Sequence, residues 1–351
     1  MALVACVVGC ASSPASPYAR AFAEAERAQT AGRFAEAAAG FDRAAAAASS
    51  GRERDHAAYL AAEMAMRSGD VADGAKRLEA IARRDPEGEH AAHAAYELAT
   101  MRAERDGDWT LLASMPVRFP ESALSRRALY RVAAHVDEQD GPGAGLAWLE
   151  SIAPRLAGHE LEASALYAIA RHHDALGDAA RARDEYLAIA TRWPYPYGAL
   201  WDDALFRASE ADERLGRYDA AVADLERMLD ERETSTVMGT YQRPRYGPAL
   251  LRIATLYRDR LHDRARARAA LHRLYAEFTT SESRDDALWM EAGLFVEDGD
   301  HDGACARLAT LVRDFPDSRY VPCATARCDG VARPAKSAAP KTCHAYLDAR
   351  R

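Results

Sequence analysis

The sequence predicts an all-α protein built from about eight helical hairpins in a row. The composition favours helices, because Ala, Leu, Arg and Glu are abundant while Val, Ile and Thr are scarce. No segment shows the alternation of apolar and polar β-branched residues that is typical of strands. Glycines recur along the chain at intervals of 34 to 39 residues, and a period of this length is typical of repeat proteins.

The glycine spacing predicts where the turn of each hairpin lies. The turn glycines are Gly32, Gly69, Gly107, Gly141, Gly177, Gly216 and Gly299. The 83 residues between the last two leave room for one more hairpin, whose turn we place at 261–263. Glycine suits these positions because it adopts the left-handed backbone that ends a helix without a steric cost.

Residues on both sides of the turn repeat with the glycine. An alanine follows five residues later, large apolar residues follow after four and three more, and a proline ends the hairpin. The fifth and eighth hairpins carry Ala170, Gly177, Ala182, Tyr186, Ile189 and Pro194, and Ala292, Gly299, Ala304, Leu308, Leu311 and Pro316. The alanines allow two helices to approach closely, the apolar residues form one buried stripe, and the proline stops the second helix.

This pattern resembles the tetratricopeptide repeat over most of residues 18–328. The endings Phe119-Pro-Glu-Ser and Phe315-Pro-Asp-Ser also resemble those of repeats in bacterial outer-membrane lipoproteins and periplasmic proteins. The resemblance implies a right-handed α-solenoid whose concave surface, lined by the first helix of each hairpin, binds a peptide or helix of another protein. The side chains that it places on this surface are Tyr167, Arg171, Phe206, Glu210 and Trp289.

Two connections between hairpins depart from the repeat. Trp193, Tyr195 and Tyr197 alternate with two prolines, and Trp201 follows closely. Aromatic residues of this kind are enriched in protein-binding sites, so we include the first three as candidates; the alternative is that they pack inward and join two hairpins. The second connection, 231–247, is long enough to be either functional or disordered.

Residues 1–17 resemble the end of a bacterial lipoprotein signal followed by a tether. An apolar run reaches Val-Val-Gly-Cys10, and Ala-Ser-Ser-Pro follows. The resemblance implies acylation of Cys10, although Cys6 also fits the pattern. Because no positively charged segment precedes the apolar run, we expect the true start to lie upstream of Met1. The alternative is an apolar tip on a cytoplasmic protein.

Residues 329–351 are predicted to be a flexible Pro/Ala/Lys linker and a tail that contains a cysteine. Apart from Cys6 and Cys10, the cysteines are Cys305, Cys323, Cys328 and Cys343. An even number near one end of an exported chain favours disulfides, with three connectivities open. We expect Cys305 to pair with Cys323 or Cys328, and Cys343 to tether the tail. The alternative is zinc bound by Cys323, Cys328 and the Cys343-His344 pair.

The sequence contains no catalytic, phosphate-binding or cofactor-binding motif that we would assign. His90, His93 and Glu97 share one helical face, where they are either metal ligands or, as we expect, a solvated surface. The net charge of -8 disfavours nucleic acid as a partner.

We therefore predict a non-enzymatic protein-binding scaffold at the bacterial cell envelope. It would bind other proteins without a cofactor, contact the outer membrane only through its lipid, and face the periplasm. The alternatives are a soluble adaptor without an anchor, and an enzyme or metal-binding protein on the same scaffold.

Overall fold

The chain folds into helical hairpins, as predicted. The computed structural model describes residues 16–84, 90–231, 243–344 and 347. These residues form 17 α-helices and one short 3-10 helix, and no strand occurs among them. The chain divides into two compact units, Met1–Ala165 and Leu166–Arg351. None of the described helices is both long and apolar enough to cross a bilayer.

The first unit contains four hairpins, in which each helix packs against the next along the chain. Its helices are α1 (Pro17–Thr30), α2 (Phe34–Ala46), α3 (Gly51–Arg67), α4 (Val71–Arg84), α5 (Ala91–Asp106), α6 (Thr110–Arg118), α7 (Ala123–Asp140) and α8 (Ala144–Ile152). The 3-10 helix Ala153–Leu156 follows. Helices in the middle of the unit therefore bury apolar surface on two sides, within their own hairpin and against a neighbour.

The second unit continues the same arrangement, and from α10 onward each helix packs against the next. Its helices are α9 (Glu162–Ala175), which begins just before the boundary, α10 (Ala179–Arg192), α11 (Trp201–Arg214), α12 (Tyr218–Asp230), α13 (Tyr246–Asp259), α14 (Arg264–Glu277), α15 (Arg284–Glu297), α16 (His301–Asp314) and α17 (Val321–Arg327). Within residues 328–344, no further helix follows α17.

All eight predicted turns contain a residue with positive φ. Seven are the glycines named above, and the eighth is His262, with φ of 52°. His262 takes a backbone conformation that costs an ordinary residue about 1–2 kcal/mol, so the repeat keeps its turn geometry there without glycine. The glycine spacing therefore located the turn of the seventh hairpin correctly.

The small residues of the repeat lie where helices approach most closely. Ala182 and Ala304 are buried, as are the large apolar residues that follow them. In the second hairpin Gly74 takes the place of this alanine. A Cβ atom on Gly74 would lie 2.2 Å from the Met66 side chain and 3.0 Å from the Ala62 carbonyl oxygen, so Met66 occupies the space that an alanine would fill.

The tail after α17 is more ordered than the sequence suggested. Disulfides join Cys305 to Cys328 and Cys323 to Cys343, which fasten the tail to α16 and α17. Ala339 and Leu347 are buried against this end of the unit. The Arg333 guanidinium donates a 2.6 Å hydrogen bond to the Pro340 carbonyl. Each covalent loop, of 23 and 20 residues, stabilises the fold by about 3 kcal/mol in the chain-entropy account.

We predict that Ala304→Leu destabilises the second unit by about 1–3 kcal/mol, because the added side chain overpacks the contact between α15 and α16. The matched control is Ala309→Leu, an exposed position on the same helix. Urea unfolding of both variants measures the difference. Equal stability of Ala304→Leu and the wild type would contradict this account of the packing.

Candidate functional site

The candidate site is the solvent side of the first helices of hairpins five to eight, α9, α11, α13 and α15, which we call the first-helix face. On α11 the residues Asp203, Arg207, Glu210 and Glu213 follow one another at helical spacing and are partly exposed. The opposite side of α11 is buried in the core of the second unit. The face is therefore lined by charged side chains that stand on an apolar base.

The aromatic residues expected on this face lie in the core instead. Tyr167, Phe206 and Trp289 are 7%, 6% and 5% exposed. Tyr167 packs against the ring of Tyr186, with centroids 5.5 Å apart. Trp289 stacks on Tyr320 at 4.9 Å. We expected these rings to face an open surface, and that expectation is corrected: they stabilise the hairpins from within.

Arginines cover the outer faces of two of these rings. The guanidinium groups of Arg245 and Arg252 lie 4.9 and 5.6 Å from the centroid of Phe206. Arg327 lies 4.3 Å from the centroid of Trp289. Each such contact contributes about 0.5–1 kcal/mol at exposed sites. What a partner would meet on this face is therefore charge and not open aromatic surface.

Arg245 and Arg252, together with Arg207, are bound to carboxylates. Glu210 accepts hydrogen bonds from Arg207 at 2.8 Å and from Arg252 at 3.3 Å. Arg252 also donates to Glu213. Arg245 donates to Asp203 at 2.6 Å. These contacts join α11 to α13, so the charged layer links the sixth hairpin to the seventh.

Arg207 keeps its positive charge near neutral pH. Burial acts to lower the pKa of Arg207, but Glu210 and Tyr167 raise it above its ordinary value. Burial is also the main reason why the pKa of Tyr167 is raised, so its hydroxyl stays protonated. Arg171, one of the residues predicted on this face, is exposed on α9.

The aromatic connection between α10 and α11 is held by an arginine from elsewhere in the chain. Arg243 donates to the Asp202 carboxylate at 2.9 Å and to the carbonyl oxygens of Pro196 and Gly198 at 2.9 and 3.1 Å. Tyr197, in contrast, is 95% exposed. The structure therefore presents one aromatic ring to solvent on a connection that Arg243 fastens to the core.

Its two neighbours in the connection turn toward the protein. The side chains of Trp193 and Tyr195 are partly buried and pack against the core of the second unit. Arg243 lies 5.3 Å from the centroid of Tyr195. Arg243 lies 41 residues after Asp202 in the sequence. Its contact with this connection could therefore not be found from a local sequence motif.

Comparison with known families identifies the repeat. The sequence profile of the tetratricopeptide repeat matches residues 203–235, 248–281 and 286–318. These segments correspond to the sixth, seventh and eighth hairpins of the structure. Residues 203–318 of the chain therefore contain tetratricopeptide repeats. Among proteins with curated functions, none matches its sequence.

Several solved structures of other proteins superpose loosely on this chain. PilW, a type IV pilus biogenesis factor, is 14% identical, with 67% of this chain and 98% of that chain covered at a TM-score of 0.39. A tetratricopeptide repeat protein from Parabacteroides merdae is 16% identical over 74% and 92%, at 0.37. The quorum sensor NprR from B. thuringiensis is 13% identical over 84% and 86%, at 0.39. These similarities are too distant to transfer a partner to this chain.

The other predicted sites are the acylation cysteines, the long connection and the candidate metal ligands. Cys6 and Cys10 lie outside the described residues, as do residues 232–242 of the long connection. The four carboxyl-terminal cysteines are bonded in pairs, so their thiolates are not available to zinc. Across the described ranges no three His, Cys, Asp or Glu side chains come together as a metal site. His90 instead stacks on the ring of Tyr59 at 5.5 Å.

Sequence reasoning missed a buried pair of carboxyl groups in the sixth hairpin of the repeat array. Asp212 on α11 is fully buried and accepts a 3.2 Å hydrogen bond from Arg183 on α10. Asp224 on α12 lies near it. Burial, and then the charge of Asp212, raise the pKa of Asp224 to about 6, although Arg183 acts to lower it. The two acids therefore lie beside Arg183, and Arg217 is 3.8 Å from Asp212; nothing in the repeat pattern indicates this.

Asp224 makes the stability of the protein depend on pH. Its pKa in the folded state lies above its ordinary value of 3.8, so the folded chain binds more protons than the unfolded chain between about pH 4 and 6. Stability must therefore fall as the pH rises through this window, by on the order of 1 kcal/mol once partial exposure is allowed for.

We predict that Asp224→Asn removes this loss, so the variant is more stable than the wild type at pH 7.5 and no more stable at pH 4. Urea unfolding at both pH values measures the effect, and Asp219→Asn, on the same helix, is the control. A wild-type advantage at pH 7.5 would contradict the proposed burial of Asp224.

Proposed function

We propose that this chain is a non-enzymatic scaffold that binds other proteins at the bacterial cell envelope. The observation that carries the proposal is the match to three tetratricopeptide repeats at 203–318, whose first helices present the charged layer described above. Repeat arrays of this kind create extended surfaces on which partners bind. The proposal gives the partner as a protein, bound without a cofactor, and not a nucleic acid.

The charged layer determines what kind of partner this face favours. Arginines and carboxylates alternate on it, and most are already bound to each other. A partner gains little by contacting a satisfied pair, since an exposed ion pair contributes about 0–1 kcal/mol. Specific binding is therefore expected to depend on groups that extend beyond the layer, such as the exposed guanidinium of Arg171 and the exposed ring of Tyr197.

The location is argued from the cysteines. Two disulfides at the end of the array favour an oxidising compartment, because cytoplasmic thiols are kept reduced. The Cys10 sequence resembles an acylation site, and acyl chains bind a membrane with about 0.8 kcal/mol per buried methylene. An outer-membrane lipoprotein that faces the periplasm satisfies both observations. A soluble adaptor without the anchor is the second candidate, since the disulfides support it equally.

We predict that the pair of substitutions Arg171→Glu and Tyr197→Ala lowers partner capture about tenfold or more, because it removes the two exposed groups beside the charged layer. The wild type and the variant, each purified and immobilised, are exposed to an envelope extract, and bound proteins are quantified by mass spectrometry. The control is Arg227→Glu on the second helix α12. Unchanged capture by a variant with a native circular dichroism spectrum would reject this face as the binding surface.

We predict that replacing both Cys6 and Cys10 by Ser releases the protein from the membrane fraction, because the acyl chains are then absent. Fractionation of cells, together with metabolic labelling by a fatty acid, measures the change. Single Cys6→Ser and Cys10→Ser variants show which cysteine carries the lipid. Membrane association of the double variant at the wild-type level would reject the anchor and favour the soluble adaptor.

A further inference from the structure

The array uses arginine twice in the same way. Arg131 on α7 and Arg252 on α13 each lie ten residues before the turn residue of their hairpin, Gly141 and His262. Each binds a glutamate of the preceding hairpin that lies three residues before its own turn glycine. These are Arg131 with Glu104 at 3.0 Å and Arg252 with Glu213 at 2.5 Å.

Each of these arginines also lies over an aromatic ring of the preceding hairpin. Arg131 lies 5.7 Å from the centroid of Trp109, and Arg252 lies 5.6 Å from that of Phe206. The array therefore has a recurring contact in which a guanidinium from one hairpin joins a ring and a carboxylate of the one before it. Arginine suits this place because its planar group stacks on rings and donates to carboxylates at once.

At the position that arginine occupies in the fourth and seventh hairpins, the third hairpin has a glutamate, and the other five hairpins have aromatic residues. Glu97 on α5 lies ten residues before Gly107. The second hairpin has Met66 at the position of Glu213, but it keeps the ring and the other acid that Arg252 contacts: Tyr59 and Glu63 lie ten and six residues before Gly69, as Phe206 and Glu210 do before Gly216. At this junction the contact has its aromatic and acidic parts but not its internal cation.

The presence of Glu97 at this position makes the surroundings of Tyr59 negatively charged. Burial, and then the charges of Glu97 and Glu63, raise the pKa of the Tyr59 hydroxyl to about 12. Burial, and then Glu63, raise the pKa of Glu97 above its ordinary value, while His93 acts in the opposite direction. Both glutamates therefore act on the same ring and repel each other.

Few cations compensate these charges within the described part of the first unit. Glu63 has an ion pair with Arg67 at 2.7 Å, in which Arg67 is 53% exposed. Glu97 has no ion pair among the described residues. No arginine lies over the Tyr59 ring in the described chain, and its aromatic neighbours are His90 and His93, at 5.5 and 6.0 Å.

We propose that Tyr59, Glu63 and Glu97 form a binding site for an arginine side chain of a partner protein. The guanidinium of the partner would take the place that Arg252 fills in the second unit, stacking on the ring and donating to the carboxylates. The internal arginines are the independent observation here, because they show which ligand this arrangement of groups holds elsewhere in the same chain. The inference rests on the proposed protein-binding function and adds a basic segment to the description of the partner.

The test uses a nine-residue peptide with three arginines separated by glycine and serine, titrated into the full chain at low ionic strength by calorimetry. A second peptide carries citrulline in place of arginine, which keeps the shape and removes the charge. A third carries lysine. We expect the arginine peptide to bind at least about tenfold more tightly than the citrulline peptide, and more tightly than the lysine peptide.

Substitution of Glu97 supplies the decisive comparison. Glu97→Arg restores the internal cation and is expected to weaken binding of the arginine peptide about tenfold. Glu79→Arg, with the same change of charge on the second helix α4, is expected to weaken it no more than about twofold. Glu97→Gln keeps the size of the side chain and decides the matter if the arginine variant does not fold; we expect a loss of about threefold.

Three outcomes would overturn the inference: equal binding of the arginine and citrulline peptides, no binding of either, or equal losses in the Glu97→Arg and Glu79→Arg variants. The last would show that the peptide responds only to net charge. None of these results bears on capture of the natural partner by the Arg171 and Tyr197 groups, which lie in the other unit. Failure of this inference can therefore be distinguished from failure of the proposed function.

Discussion

A hairpin of two helices cannot bury its own apolar stripe, and the rest of the structure depends on this constraint. Each helix in the middle of a unit packs against the helix before it and the helix after it. For example, α3 packs against both α2 and α4. Small residues such as Ala182 and Ala304 are needed because this double packing leaves no room for larger ones. At the end of the second unit, α17 and the disulfide-bonded tail cover the apolar surface of α16.

The same constraint explains the character of the candidate site. Aromatic rings on the first helices are recruited into the packing between hairpins, and arginines then cover them, as Arg252 covers Phe206. The surface that remains is a layer of paired charges. Selective contacts with a partner would come from the few side chains that do not fit this arrangement. The exposed ring of Tyr197 and the carboxylate of Glu97 are such exceptions: the ring lies in solvent, and the glutamate stands at a position that the other hairpins fill with an arginine or an aromatic residue.

The sequence predicted the helical hairpins far better than it predicted which side chains are exposed on the first-helix face. The turn at 261–263 was found without a glycine, because the spacing of the other turns required a hairpin there and His262 adopts the same backbone region. The positions of Tyr167, Phe206 and Trp289 within the first helices were also predicted, but not their burial. That burial depends on arginines such as Arg245 and Arg327, 39 and 38 residues further along the chain. The contact of Arg243 with Asp202 escaped prediction for the same reason: it joins segments that no local pattern connects.

Hydrogen exchange of the free protein, followed by mass spectrometry, tests the stacking of the hairpins most directly. If neighbouring hairpins stabilise one another, amides of both helices in the interior hairpins of each unit are protected to a similar degree, and protection decreases only toward the ends of the array. Exchange of one interior hairpin, such as α11 and α12, at the rate of an unfolded chain while its neighbours stay protected would contradict the account. In that case the first-helix face could not be a continuous binding surface.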